Sequence, residues 1–256
     1  MISDMPSEID VVTDRRTRKR EGRRSDLLDL AAGLVDERGL GGLTMAALAE
    51  AGDYATASLY TYFPSRDALL SALQDRALLV LGEVGEAGLV RWDGALGAPA
   101  DAAGRRVAAL ARLCAFADLF LAAPQHHPQE FRLQQELLAS PEGDASAEGG
   151  RVIASAMAVL DLPRRLLAEA VDAKALATPA PVRNVAGDPV DGTMARTLAW
   201  VSALNGVLLL DRLEGEVPVG GAALGRDLSL AVLRGWGAAP AMLERARTLV
   251  DGWSDR

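Results

Sequence analysis

Hydrophobic positions recur along this chain with the period of an α-helix. Leu27, Leu30, Ala31, Leu34 and Val35 fall at i, i+3, i+4, i+7 and i+8, which places them on one stripe of an amphipathic helix. Gly39 predicts the end of that helix, and Gly41 and Gly42 predict a connector. Thr44 is a good N-cap for a short second helix that buries Met45, Leu48 and Ala49. A break at Gly52 and Asp53 leads into a third helix containing Leu59 and Phe63. Ser65 and Asp67 then suit the start of a long fourth helix, the acid favoured by the positive end of its dipole. Its apolar face, Leu69, Leu73, Ala77, Val80 and Val84, fades near Gly85–Gly88. Turn clusters separate further helical segments at about 101–123, 128–139, 150–177 with a break at Pro163, 192–213, 222–236 and 240–253. No strand pairs and no repeat of solenoid period are expected.

Composition agrees with an all-α class. Half of the 256 residues are apolar, yet aromatics are only 4%, and Ala and Leu dominate over β-branched types. Such residues lose little entropy in a helix. The single cysteine, Cys114, excludes an intrachain disulfide and a cysteine-based zinc site, and fits a reducing cytoplasm. The acidic start, with Asp4, Glu8, Asp10 and Asp14, predicts no secretory signal. The longest near-apolar run, Leu198 to Leu210, is short for a bilayer and is interrupted by Asn205 and Gly206. A soluble cytoplasmic protein with no membrane partner is the expectation.

Charge changes the picture through its distribution. The net −8 argues against nucleic acid, but residues 15–66 carry nine Lys/Arg against seven Asp/Glu. Seven of those bases lie from Arg15 to Arg24 (Arg15, Arg16, Arg18, Lys19, Arg20, Arg23 and Arg24), opposed only by Glu21. Screening limits the relevant field to about 8 Å at physiological salt, so an acidic remainder does not forbid a local phosphate contact. Catalytic chemistry finds little material. His126 and His127 are adjacent and diverge on most backbones, no cluster has metal-ligand spacing, and there is no Gly-rich phosphate loop or nucleophile elbow. No enzyme activity, metal or cofactor is expected.

Three helices in residues 25–63, the last two short and closely joined, match a DNA-reading helix-turn-helix. Small Ala49 allows the second and third helices to cross closely, and Tyr54, Leu59 and Phe63 supply apolar contacts for the third. Thr44 offers a hydroxyl and a helix N-terminus to a phosphate.

These residues run Thr44-Met45-Ala46-Ala47-Leu48-Ala49, then Tyr54-Ala55-Thr56-Ala57-Ser58-Leu59-Tyr60-Thr61-Tyr62-Phe63, then Ser65-Arg66-Asp67-Ala68-Leu69, preceded by Asp36-Glu37-Arg38-Gly39. In order, spacing and residue class, about residues 25–70 resemble the DNA-binding module of the TetR family of bacterial transcriptional regulators. Asp53 departs from the family's turn Gly. Asp is a tolerable substitute in the left-handed conformation such a turn commonly needs.

The resemblance implies a homodimer that binds double-stranded DNA at a pseudo-palindromic operator. Thr44, Tyr60 and Tyr62 would hold phosphates and Arg66 would clamp another, while Thr56, Ala57, Ser58 and Thr61 would face base edges. Arg23 and Arg24, with the rest of the basic run, would enter a minor groove. The implied domains are a disordered basic arm (1–24), a helix-turn-helix domain (25–66) and a helical regulatory and dimerisation domain (67–256). The C-terminal part resembles the family more loosely, in Ala115–Phe120, His127-Pro128, Phe131-Arg132-Leu133 and Trp200…Asn205-Gly206, with Asn where the family has His. It implies a dimer interface drawing on Leu204, Leu208, Leu224, Leu228, Val232 and Trp236. It also implies a cavity for a small apolar ligand, walled by Phe116, Phe120, Phe131 and Trp200 with Cys114, His127 and Asn205 as polar contacts. The expected function is repression relieved by that ligand. A ligand-independent regulator or an activator on the same fold is the alternative.

Overall fold

The apolar stripes do set the helices. The computed structural model describes residues 8–139, 147–212 and 219–254, and these are helical except for loops and one small ladder. The helices are α1 (Glu8–Gly42), α2 (Met45–Ala51), α3 (Thr56–Leu59), α4 (Arg66–Leu96), α5 (Ala102–His126), α6 (Pro128–Ala139), α7 (Ala147–Val159), α8 (Asp161–Asp172), α9 (Gly192–Leu208), α10 (Gly221–Gly235) and α11 (Pro240–Ser254). Two compact units emerge: Met1–Arg76 with Ser140–Ile153, and Ala77–Ala139 with Ala154–Arg256.

In the first unit, Leu27, Ala31 and Val35 are fully buried on α1. Gly39 takes φ +67°, a conformation natural to glycine, and breaks α1 before the connector. The expectation of a disordered arm over residues 1–24 is corrected for the described part, because α1 begins at Glu8. Residues 8–21 contain no Gly or Pro and are rich in Arg, Lys, Glu and Asp. Asp14 and Arg18 stand four apart, a spacing that favours a helical turn. Residues 1–7 lie outside the described residues.

The turn between α2 and α3 is a complete C-terminal cap. The Tyr54 N–H donates to the Ala49 carbonyl (2.9 Å) and the Asp53 N–H to the Glu50 carbonyl (3.3 Å), with Asp53 at φ 53°. This is the double hydrogen bond that usually recruits glycine at the left-handed position.

In the second unit, α5 is the axis. It packs against α6, α8, α9, α10 and α11, and is buried on nearly every face. Both α5 and the stretch Gly192–Asp211 are long and apolar enough to cross a membrane. Most of that apolar stretch of α5 is buried inside the unit, whereas most of the other is not. The fourth helix continues well past the point where its apolar stripe fades. At Gly85 a Cβ would lie 2.9 Å from Leu162 Cδ2, so close packing there replaces a side chain and hides the period. The break expected at Pro163 falls at Leu160, and Pro163 sits in the first turn of α8, where no N–H is required. The loop expected over 178–191 contains a ladder pairing β1 (Val182–Arg183) with β2 (Pro189–Val190), too short for alternation to reveal.

Three consequences are measurable. Asp53→Gly relieves a left-handed non-glycine residue and should raise stability by roughly 1 kcal/mol in denaturant unfolding. The N-terminus of α3 receives no side-chain cap, so Asp53 has no capping role to lose. Asp53→Val should lower stability by more than the glycine gains. At Gly225 a Cβ would lie 2.3 Å from Leu121 Cδ2, so Gly225→Ala should lower stability by about 1–3 kcal/mol and the melting temperature with it. Burial pushes the Cys114 thiol up to about 12. A thiol reagent at mildly alkaline pH should therefore leave the folded protein unmodified and label it only in denaturant.

Candidate nucleic-acid interface and cavity

The outward face of the first unit is assembled from short elements. Thr44 stands at φ −125°, ψ 156° before α2, and its Oγ1 accepts the Ala47 N–H at 3.0 Å. Its side chain is exposed beside the free N–H groups of the α2 N-terminus. In α3 and the turn after it, Leu59 and Phe63 point inward and are fully buried. Thr56, Ala57, Ser58, Tyr60 and Thr61 are left exposed, with Tyr60 half out at 51%, while Tyr62 is half-buried. Of the residues expected to meet base edges and phosphates, Thr56, Ala57, Ser58, Tyr60 and Thr61 thus share the exposed side of one short segment.

The basic residues divide into two groups. Arg15, Arg16, Arg18, Lys19, Arg20 and Arg23 are exposed on α1. Arg20 Nη2 donates to the Thr61 carbonyl at 3.0 Å, so α1 grips the segment after α3. Arg24, expected in a minor groove, is half-buried, with its guanidinium 4.9 Å from the centroid of the Phe63 ring. Arg66 has backbone partners that the sequence did not announce. Its Nε donates to the Leu43 carbonyl at 2.6 Å and its Nη2 to the Leu40 carbonyl at 2.8 Å, which ties the start of α4 to the connector before α2. A guanidinium engaged in this way positions the motif, and the side chain stays 40% exposed at the start of α4. Arg76, not singled out in the sequence, bonds Asp29 at 2.5 Å and the Leu28 carbonyl at 3.2 Å. A pair 47 residues apart leaves no local signal.

The second unit contains a cavity of about 1420 Å³. Phe116, Phe120, Phe131, His127 and Asn205 line it, as expected from the sequence. The Phe120 and Phe131 rings meet edge to face at 6.1 Å. Cys114 and Trp200 do not line it. Trp200 is buried behind Phe116, at 5.4 Å between ring centres, and its Nε1 donates to Ser229 Oγ at 3.0 Å. An indole needs a partner when buried, and this one finds it across α9 and α10. Cys114 faces the same packed core.

Two polar groups on the wall were not anticipated. Gln134 is buried there, and Asp118 Oδ2 pairs with Arg247 Nη2 at 2.6 Å. Burial works against the charge of Arg247, but its hydrogen bonds to Asp118 and Asp251 outweigh this and hold its pKa above the ordinary value. Asn205 accepts from Gln135 Nε2 at 2.5 Å and donates to the Val201 carbonyl at 3.0 Å.

The predicted interface also needs a change of face. Leu204 and Leu208 lie in the core of the second unit, so neither is offered to a partner. The exposed residues of α9 are Leu198, Ala199, Ser202 and Gly206, followed by Leu209, and of these Leu198 and Ser202 line the cavity. Leu224, Leu228, Val232 and Trp236 of α10 and its C-cap are half-buried.

Comparison with known proteins agrees with both units. No curated protein sequence matches the chain. Among solved structures, RolR bound to resorcinol is 17% identical, with 90% of this chain and 95% of that one covered and a TM-score of 0.56. A bacterial regulatory protein in the tetR family from Rhodococcus RHA1 is 16% identical, with 84% and 97% covered and a TM-score of 0.52. AibR in complex with isovaleryl coenzyme A and operator DNA is 16% identical, with 81% and 96% covered and a TM-score of 0.51. At these identities the likeness is one of fold. Residues 27–73, however, match the family model described as bacterial regulatory proteins, tetR family. That match spans the same helices that expose Thr44 and Thr56–Ser58, and it identifies this segment as similar to the N-terminal module of bacterial regulatory proteins of the tetR family.

Proposed function

We propose that the chain is a cytoplasmic DNA-binding repressor that acts as a homodimer and leaves its operator when a small apolar molecule fills the cavity. The observation that carries this reading is the exposed row Thr56, Ala57 and Ser58 on α3, flanked by Thr44 and Tyr60. A short helix with its apolar side buried and its hydroxyl-bearing side free suits a major groove, where Ser and Thr bond base edges and small side chains meet thymine methyls. Exposed Arg15, Arg16, Arg18 and Lys19 along α1 supply backbone charge. Arg66, Arg24 and Arg20 act one step back, by fixing α3 rather than by touching DNA.

One recognition helix per chain reads one half-site, so a twofold pair would read a pseudo-palindrome. The exposed side of α9 formed by Ala199 and Gly206, with Leu209 after it, together with α10, is the face we assign to the second copy. RolR with resorcinol and AibR with isovaleryl coenzyme A and operator DNA lend support by analogy to a cavity ligand and an operator. Release requires that the ligand favour the DNA-incompetent state, because equal affinity for both states shifts nothing. We assign no catalytic role to the cavity.

Fluorescence anisotropy on the gene's own upstream DNA tests the assignment. Ser58→Ala should alter preference at one position per half-site and leave binding to random DNA unchanged. Lys19→Ala should weaken operator and random DNA alike and reduce the salt slope by about 1, the signature of one lost phosphate contact. Arg66→Ala should leave that slope unchanged and lower stability by about 2 kcal/mol, since it strips two charge-assisted hydrogen bonds from the connector. Equal losses on operator and random DNA for Ser58→Ala would remove it from base readout.

A further inference from the structure

Every polar group on the cavity wall can be asked what partner it lacks. Gln134 stands out. It sits on α6 at 9% exposure, lines the cavity, and its side-chain amide has no hydrogen-bond partner among the described residues. A buried amide left unpaired is unfavourable by about 1–3 kcal/mol, so a bound molecule that pairs with it gains from an interaction the empty protein lacks. The other buried amide on the wall, Asn205, is already engaged by Gln135 and Val201. Asp118 Oδ1 is a second unpartnered group on the wall, but it can only accept, so Gln134 is the anchor that both donates and accepts.

The charge around it narrows the partner. The charged wall residues are Glu83, Glu86, Arg91 and Asp118, beside His126 and His127. Glu83 and Arg91 are exposed, Glu86 pairs with Arg165, and Asp118 pairs with Arg247 through Oδ2 while its buried Oδ1 has no partner among the described residues. Arg247 also bonds Asp251, whose side chain is 64% exposed, so solvent screens that third charge. No buried cation on the wall is left to meet an anion, and the carboxylate nearest the aromatic rings is already neutralised. A carboxylate or phosphate head would lose its water with no buried cation in return, and an ammonium would meet at Asp118 a carboxylate whose charge Arg247 already offsets. A neutral head meets none of these penalties. The amide of Gln134 both donates and accepts, so it suits a hydroxyl, ketone or carboxamide equally. Phe116, Phe120 and Phe131 supply flat apolar surface for the rest of the molecule.

We infer that the cavity takes an uncharged, largely apolar and aromatic-compatible molecule whose single polar head hydrogen-bonds the side-chain amide of Gln134. The inference rests on the cavity being a ligand site, as proposed above, and adds the chemical class and the anchor. It also separates this cavity from one built for an acidic or phosphorylated ligand.

Four naphthalene probes with one ring system and different heads provide the test: naphthalene, 2-naphthalenemethanol, 2-naphthoate and 2-naphthylmethylammonium. Binding is measured by isothermal titration calorimetry on the full chain and on Gln134→Leu and Gln134→Glu, with far-UV circular dichroism to establish that each variant is folded. The alcohol should bind the wild type about tenfold more tightly than naphthalene, and both charged probes should bind more weakly than the alcohol. Gln134→Leu should bring the alcohol to the level of naphthalene while leaving naphthalene itself unchanged. Should Gln134→Leu fail to fold, Gln134→Glu serves, and there the ammonium should overtake the alcohol. Tightest binding to the wild type by the carboxylate or the ammonium, or an alcohol preference that survives Gln134→Leu, overturns the inference while leaving the cavity as a ligand site. Failure of all four probes to bind overturns the cavity reading and the inference together.

Discussion

A helix of four residues cannot hold its shape by its own hydrogen bonds, so the exposed row on α3 stands only because Leu59 and Phe63 are buried beneath it. The surrounding contacts serve that burial. Arg24 covers the Phe63 ring, Arg20 holds the Thr61 carbonyl, and Asp53 closes the turn that delivers α3 from α2. Arg66 holds the connector that leads into α2. The arginines act through long side chains on backbone or ring and Asp53 through its own backbone, and together they turn a marginal element into a rigid presentation of Thr56, Ala57 and Ser58. Precision in reading base edges needs that rigidity, because a loosely held hydroxyl discriminates poorly between bases.

The second unit solves a different problem. Its axis α5 is apolar nearly all round and can be satisfied only by neighbours on every side, which α8, α9, α10 and α11 provide. The aromatic cluster then splits in two. Trp200, bonded to Ser229, belongs to the solid part of the core, whereas Phe120 and Phe131 border open space. A cavity of this size is tolerated because the rest of the core is close-packed, down to glycine contacts such as Gly225 against Leu121.

How much of this could be read from the sequence depends on the range of the interaction. Periodic stripes, the Thr44 cap, the Gly39 stop and the left-handed Asp53 are local, and the chain announces them within a few residues. The positioning role of Arg66 was hidden because its carbonyl partners lie 23 and 26 residues away. The basic segment misled because its charges suggested a solvated tail, while its helix-forming residues extend α1 back to Glu8. On α9 the error was one of phase. Apolar residues occupy both sides of that helix, so periodicity could not say that Leu204 and Leu208 face the core, Leu198 the cavity and Ala199 the outside. The aromatic wall was legible from residue type, but Gln134 was not, because a lone Gln carries no signal until its surroundings empty it of partners.

The central claim is that the row held up by Leu59 and Phe63 reads duplex DNA, one copy per half-site. Hydroxyl-radical footprinting of the full chain on its own upstream region tests it most directly. The account predicts two protected patches of equal depth, related by a pseudo-twofold and spaced about one helical turn or slightly more, which vanish together as salt is raised. A single asymmetric patch, or protection that follows no inverted repeat, would contradict it.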